Sequence, residues 1–535
     1  MRKDYHAAAH SLLAGRAAIS IVRHMSKKRP SAKELRRLHS TLCFERAFPG
    51  SPTGHREAVA QLREHDDSPV YYSFSFEVAR WLASRCPGEV SIDWDEIDDT
   101  SRLDELLTRL LQPSEDEYFD SGSVSSQEWI DIARAGSGLT DLDWLMGQLT
   151  FKTLRSSWSQ LYDAADIPLV WDSGCSRFSK SRNAFPVDVI HMRDDGMRGR
   201  PRSPKQEIQY PLDLLEKLPA REGARLVDVA MASLAVRHRE TYHFNFANSK
   251  EVYVADVGEG VAIAVFGLLP GSRFPLECTM GFLILSNGVP IGYGGSSIVF
   301  RQVNTGINIF DEYRGSEASY LWVQVMRVYH ALVGCTRFIA NPYQFGGDNS
   351  EALRSGAFWF YYRLGYRPVL AEIRKLAQRE ASRIRHNRKY RSDIKTLRRL
   401  ASCDMHLTLP DARASDLFEE RWIETSSMLA TEVLGAASGT TRQDCANRVA
   451  EDVAGSLGLR SLNSWSTSER RAFNAIAPIV ATADPGAWSV VDKRTMRELL
   501  RAKGGKAEAR YAELLCEHDK FLNTLRKTCR RAELL

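Results

Sequence analysis

Over residues 1–222 apolar side chains recur every three to four positions, as at Leu35, Leu38 and Leu42 behind the capping box Ser31-x-x-Glu34, and predict a mainly helical region. A short helix over 224–237 follows, and then the period changes. The segments 252–255, 261–269, 282–285, 291–300 and 307–310 are continuous or alternating apolar runs, which read as strands. Asn287-Gly288 separates the third run from the fourth and supplies the positive φ angles of a tight turn, so an antiparallel meander is expected. A helix over 316–332, a strand over 337–340, a second helix over 349–364 and an extended piece at 366–368 complete the series. From 371 to 535 the pattern is helical again, with Ser466-x-x-Glu469 as another capping box and Gly504-Gly505 as a break. The expected fold class is α+β: a central mixed sheet (223–370) flanked by helices, between mainly helical N-terminal (1–222) and C-terminal (371–535) regions.

At 535 residues the chain exceeds what one core organises, and two to four units follow. With 43% apolar and 26% charged residues it belongs with soluble globular proteins. Apolar runs such as 261–269 fall far short of the roughly 20 residues of a membrane span, which predicts no membrane insertion. Residues 7–21 carry Arg16 and end without a cleavage site, so they read as an amphipathic helix and not a leader. Nine scattered cysteines without a Cys-x-x-Cys pair suit reduced thiols in a cytoplasm better than disulfides or zinc.

Net charge is only +5, so local charge is the more informative quantity. Residues 191–211, rich in Gly, Pro and charge, predict a linker or mobile loop. Residues 371–400 hold eleven Lys/Arg against three acidic residues, an excess of eight, which suits a solvated helix face or contact with an acidic partner. The acidic runs 93–99 and 115–117 lack the glycine and spacing of a calcium loop, and no other metal spacing occurs. Gly294-Gly295-Ser296-Ser297 is not a nucleophile elbow, and Cys335 has no evident partner for nucleophilic catalysis.

Three motifs carry a resemblance: Tyr313-Arg314-Gly315 between a strand and a helix, Asn349-x-x-Ala352, and Tyr361-x-x-x-Gly365-Tyr366. With the element order over 250–368, about a quarter of the chain, they resemble the GNAT (GCN5-related N-acetyltransferase) superfamily. In that family a loop Arg/Gln-x-x-Gly-x-Gly/Ala at a helix start holds the diphosphate of acetyl-coenzyme A on backbone N–H groups. Arg314 fills the first position, whereas Glu317 and Ser319 stand where glycine, then glycine or alanine, are usual. The interval from Asn349 to Tyr361 is also longer than the family's by about one turn, the excess falling at Ser355–Trp359. Ser355 to Tyr361 is similar as well to a Ser-Gly-Ala-Phe-Trp-Phe-Tyr run in bacterial proteins.

The resemblance implies that Arg314, Gly315, Ser316 and Asn349 bind an acyl-CoA co-substrate without any metal. It also implies that Tyr361, or its neighbour Tyr362, serves the departing thiolate as acid. Glu312 or Asp311 at the strand end is the implied base, with Glu277 and His243 as further candidates. The Gly-rich connection 341–349 suits substrate contact or a turn equally. The function expected is acyl transfer from acyl-CoA, an acyl-carrier protein or an aminoacyl-tRNA to a small-molecule or protein amine. The alternative is a catalytically silent GNAT-fold scaffold whose helical flanks bind other proteins.

Overall fold

The computed structural model describes residues 32–64, 67–149, 155–174, 176–315, 317–387 and 389–534. Ser31 and the segment 7–21 lie outside them. Two compact units form: the first takes the described residues up to 194 with 225–246 and 287–290, the second 195–224, 247–286 and 291 onward. No helix among the described residues is long and apolar enough to cross a membrane.

The first unit is mainly helical, opening with α1 (Ala32–Ala47) and α2 (Pro52–Glu64). It also holds a three-stranded antiparallel sheet in which β1 (Val70–Tyr72) and β2 (Val90–Ile92) flank β3 (Leu169–Trp171). Strands of three residues are too short to show a period of two, so periodicity did not announce them.

The second unit is built on one ten-stranded mixed sheet between helices, as expected. Its strands are β4 (Leu214–Lys217), β5 (Ala247–Asp256), β6 (Val261–Leu268), β7 (Cys278–Ser286), β8 (Val289–Val299), β9 (Gln302–Thr305), β10 (Asn308–Ile309), β11 (Arg337–Ala340), β12 (Arg367–Pro368) and β13 (Met405–Thr408). Their order is β4, β5, β6, β7, β8, β9, β11, β13, β12, with β10 paired onto β8. Asn287 (φ 49°) and Gly288 (φ 75°) make the expected turn between β7 and β8. The run expected over 307–310 holds only the two-residue β10, which folds back on Tyr293 and Gly292 of β8, and β9 precedes it without an apolar run to announce it. β9 and β11 are the parallel pair, aligned as Gln302 with Arg337 and Asn304 with Ile339, and β11, β13 and β12 continue antiparallel. β13 lies within the region expected to be helical, since four residues carry too little signal.

Five helices frame that parallel step: α3 (Pro204–Gln209), α4 (Ala318–Val333), α5 (Ser350–Ser355), α6 (Ala357–Leu364) and α7 (Ala371–His386). α4 joins β9 to β11 and is buried from Leu321 through Tyr329, which matches its apolar sequence. The helix expected over 349–364 breaks at Gly356, whose left-handed φ of 68° ends α5 and starts α6. Within the expected loop 191–211, α3 is tied to α4 by Gln324 on Glu207 (2.8 Å) and Arg327 on the Tyr210 carbonyl (2.8 Å). After α8 (Ile394–Leu400) and β13 the chain is mainly helical to Ala532. Buried charge pins the late helix α9 (Glu508–Glu517): Arg273 meets Glu251 at 2.9 Å, Lys503 meets Glu508 at 2.5 Å, and the Ala509 N–H donates to Glu251. Buried charges persist only when paired in this way.

Candidate functional site

The ladder between β9 and β11 stops at Asn304 and Ile339, and beyond it the two chain directions lead into separate loops. Carboxyl ends of parallel strands are where open sheets bind ligands. Tyr361 of α6 lies at this fork. Its hydroxyl makes a backbone hydrogen bond with Ile307, two residues beyond β9. Its ring meets Phe345 (6.0 Å), from the loop after β11, and Trp322 (6.3 Å), from α4. The end of the Gln344 side chain lies directly against Gly306, and a Cβ there would require it to shift. Burial pushes the Tyr361 hydroxyl above the ordinary tyrosine range, so it stays protonated. One residue past β11, the side-chain oxygen of Asn341 is buried without a hydrogen-bond partner among the described residues. An orphaned acceptor of this kind is unfavourable by about 1–3 kcal/mol unless a donor arrives.

The loop preceding α4 brings several of the sequence candidates onto one rim. Arg314 is exposed and bridges Asp311 (2.9 Å) and Glu351 (2.9 Å). Asn349 is the N-cap of α5 and accepts from the Ala352 N–H at 3.0 Å, so its oxygen serves the helix end. Gly315, exposed at φ 83°, follows Arg314, while Ser316 lies outside the described residues. Glu312 is half-buried on the single turn Asp311–Tyr313. Glu317 occupies the N-cap position of α4, buried, and accepts from the Arg198 N–H at 2.9 Å. A carboxylate therefore sits where the helix dipole favours an anion. Arg198 in turn stacks over Tyr320 at 4.5 Å.

Of the two further base candidates, His243 lies in the first unit, where burial pushes it down to about 4. Glu277 lies in the second, and its carboxylate accepts from the hydroxyl of Ser297 on β8. Ser297 is paired with Asn304, so their side chains share a sheet face. Asn304 donates to Glu420 at 2.6 Å. Glu420 is raised above its ordinary value by burial and then by the charge of Asp404, and Asp404 is itself raised by burial. His406, paired with Ile339 on the same face, is pushed down to about 4 by burial and by Arg337 and Arg374. Sequence reading missed Glu420, Asp404 and His406 because they stand some forty to fifty residues beyond the last motif. β13 returns His406 and the adjoining Asp404 to the sheet, and the bond from Asn304 ties Glu420 to it.

Three arginines were read apart, in the loop 191–211, the late-helix motif and the basic stretch 371–400, because the sequence does not record that they influence one another. Arg363 is lowered by burial and by the charges of Arg200 and Arg391, and Arg200 donates to the Arg363 carbonyl at 2.8 Å. Among the described residues no group of three or more His, Cys, Asp or Glu side chains is placed to hold a metal ion. Compared with known proteins, the chain matches no family model, and no curated protein and no solved structure is significantly similar to it.

Proposed function

We propose that the second unit is a GNAT-like N-acyltransferase, moving an acyl group from acyl-CoA or a carrier-borne thioester or ester to an amine. The observation that carries this reading is the β9–α4–β11 step, one parallel pair within a largely antiparallel sheet, with Tyr361 at its carboxyl fork. The orphaned Asn341 oxygen supports a ligand donor at the same fork. Arg314, with the backbone of Gly315 and Ser316, would take a phosphate of the donor, and Asn349 would orient α5 beside it. The crowded guanidiniums of Arg200, Arg363 and Arg391 favour an anion nearby.

In the reaction a carboxylate removes a proton from the attacking ammonium. The nitrogen then bonds to the carbonyl carbon, the bond from that carbon to sulfur breaks with the Tyr361 hydroxyl hydrogen-bonded to the sulfur, and the second nitrogen proton passes through solvent to the departing thiolate. Because that hydroxyl holds its proton tightly, it acts as a hydrogen-bond donor to sulfur more than as a full acid. Glu312 is the base taken from the motif, and Glu420, raised by burial, is a second carboxylate suited to accept the proton. The eight cysteines among the described residues are free and buried, which supports a cytoplasmic setting.

A carrier protein or tRNA as donor is favoured by α7 and α8, whose Lys375, Arg379, Arg385, Lys395, Arg398 and Arg399 are exposed. Glu380 of α7 holds the connection to α8 by accepting from Tyr390 (2.8 Å) and Ser392 (2.7 Å). The scaffold reading draws on the buried Glu317 carboxylate and on Gln344 covering Gly306, which together occupy the donor's expected place. Release of free thiol from acetyl-CoA, measured with amines and with a lysine-containing peptide, tests the choice. Amine-dependent release supports the transferase, and its absence with every donor class supports the scaffold.

A further inference from the structure

The first unit carries an open pocket of about 410 Å³ lined by Arg46, Val59, Arg63, Arg177, Ser181 and Arg182. Four of these six residues are arginines and none is acidic. They converge from three segments: the last turn of α1, two positions one turn apart on α2, and the loop after β3. Two of the arginines build the wall. Arg46 donates to the carbonyls of Ser181 (2.6 Å), Arg182 (3.1 Å) and Asn183 (3.1 Å). Arg182 donates to the carbonyls of Gly174 and of Arg63 (2.7 Å). The other two are exposed, Arg177 lying over the Phe178 ring at 4.5 Å, and neither Arg63 nor Arg177 pairs with a carboxylate among the described residues. Asp67, the carboxylate bonded to Ser181 on the wall, already faces His39 at 3.1 Å. The four guanidinium charges therefore stand together without a local counterion on Arg63 and Arg177, an arrangement that repels itself until an anion enters.

We infer that this pocket is a binding site for a small phosphorylated molecule, a diphosphate or phosphate ester, held chiefly by Arg63 and Arg177 against a wall fixed by Arg46 and Arg182. Guanidinium forks match phosphate oxygens in pairs, which a lone lysine cannot do. The volume is that of a small-molecule site, roughly 300–1,000 Å³, which favours a compact ligand over a polymer. The site is independent of the acyl-donor loop, because every residue lining it belongs to the first unit.

The test is calorimetric titration of the full chain with pyrophosphate and with ADP. One saturable site is expected for both, weakened by added salt. Arg63→Ala and Arg177→Ala should each weaken it about ten-fold or more, as for loss of a charged hydrogen bond, while the thermal midpoint stays unchanged because both side chains are exposed. Arg314→Ala should leave this binding intact. The inference is overturned if neither probe binds saturably, if the double variant binds like wild type, or if Arg314→Ala abolishes binding. It is equally overturned if a single-stranded oligonucleotide binds and pyrophosphate does not displace it.

Discussion

Arg314 reaches Glu351 at 2.9 Å, joining the loop before α4 to the first turn of α5 across the rim where an acyl donor's phosphate is expected. Both side chains are more than half exposed, so the pair itself contributes only about 0–1 kcal/mol to folding. Its consequence is competition, since Glu351 occupies the guanidinium a phosphate would use. Glu351→Gln is expected to leave the thermal midpoint unchanged and tighten acyl-CoA binding, whereas Arg314→Ala should weaken it by about 1–3 kcal/mol. Calorimetry on the two variants gives both values, and equal affinities would detach Arg314 from the donor.

Glu317 places a buried carboxylate at the start of α4 and accepts from the Arg198 N–H. Glu317→Gly removes both the carboxylate at the helix N-terminus and that bond and should lower stability by about 1–2 kcal/mol. It also clears the helix N-terminus, so affinity for acyl-CoA should stay the same or rise. Denaturant unfolding alongside titration separates the two effects. A variant of lower stability that also binds more weakly would mean that the carboxylate positions the donor loop.

Tyr361→Phe keeps the ring contacts with Trp322, Phe345 and Tyr366 and loses the hydroxyl alone. Donor affinity should be unchanged while kcat falls roughly 10- to 100-fold, as for removal of a catalytic hydrogen-bond donor. A rise in KM at constant kcat would instead assign the hydroxyl to binding.

In the first unit His39 carries a pH dependence of its own. Burial opposes its charged form, but the bond with Asp67 and the neighbouring Cys43 outweigh that and hold it up to about 10. Asp67 lies below the ordinary carboxylate range: burial opposes its charge, and His39 and Ser181 outweigh that too. A histidine raised above its unfolded value of about 6.5 stabilises fully below that pH and loses its contribution as pH rises toward 10. Asp67 contributes above about 4 and loses its share on acidification. The thermal midpoint of the first unit should therefore decline between about pH 6.5 and 10, by an amount on the order of a few kcal/mol in stability. His39→Gln should flatten that decline, and an unaltered slope in the variant would exclude His39 as its source.

The fold was legible where segments were long enough to show a period. β6, β8 and α4 had eight or more patterned residues, β5 and β7 a four-residue apolar run each, and the Asn287-Gly288 turn a distinctive dipeptide. β4 and β13 have four residues each and join the sheet by pairing with distant strands, which no local pattern records. The site divides in the same way. Arg314, Asn349 and Tyr361 stood in motifs, while Glu420, Asp404 and His406 reach the face of β8 and β9 through β13 and the helices after it. Gly356, read within one helix, breaks it, because a single residue with left-handed φ overrides the apolar period on both sides.

The central claim turns on whether the second unit binds an acyl thioester and delivers its acyl group. Mass spectrometry of the denatured full chain, after incubation with acetyl-CoA and gel filtration, followed by titration of CoA into wild type and Arg314→Ala, tests it most directly. Co-purifying CoA or saturable binding that Arg314→Ala weakens, with amine-dependent thiol release, is the predicted result. No binding of any acyl-CoA at millimolar concentration by wild type or by Glu317→Gly, together with no transfer from an acyl-carrier protein or aminoacyl-tRNA, would contradict it.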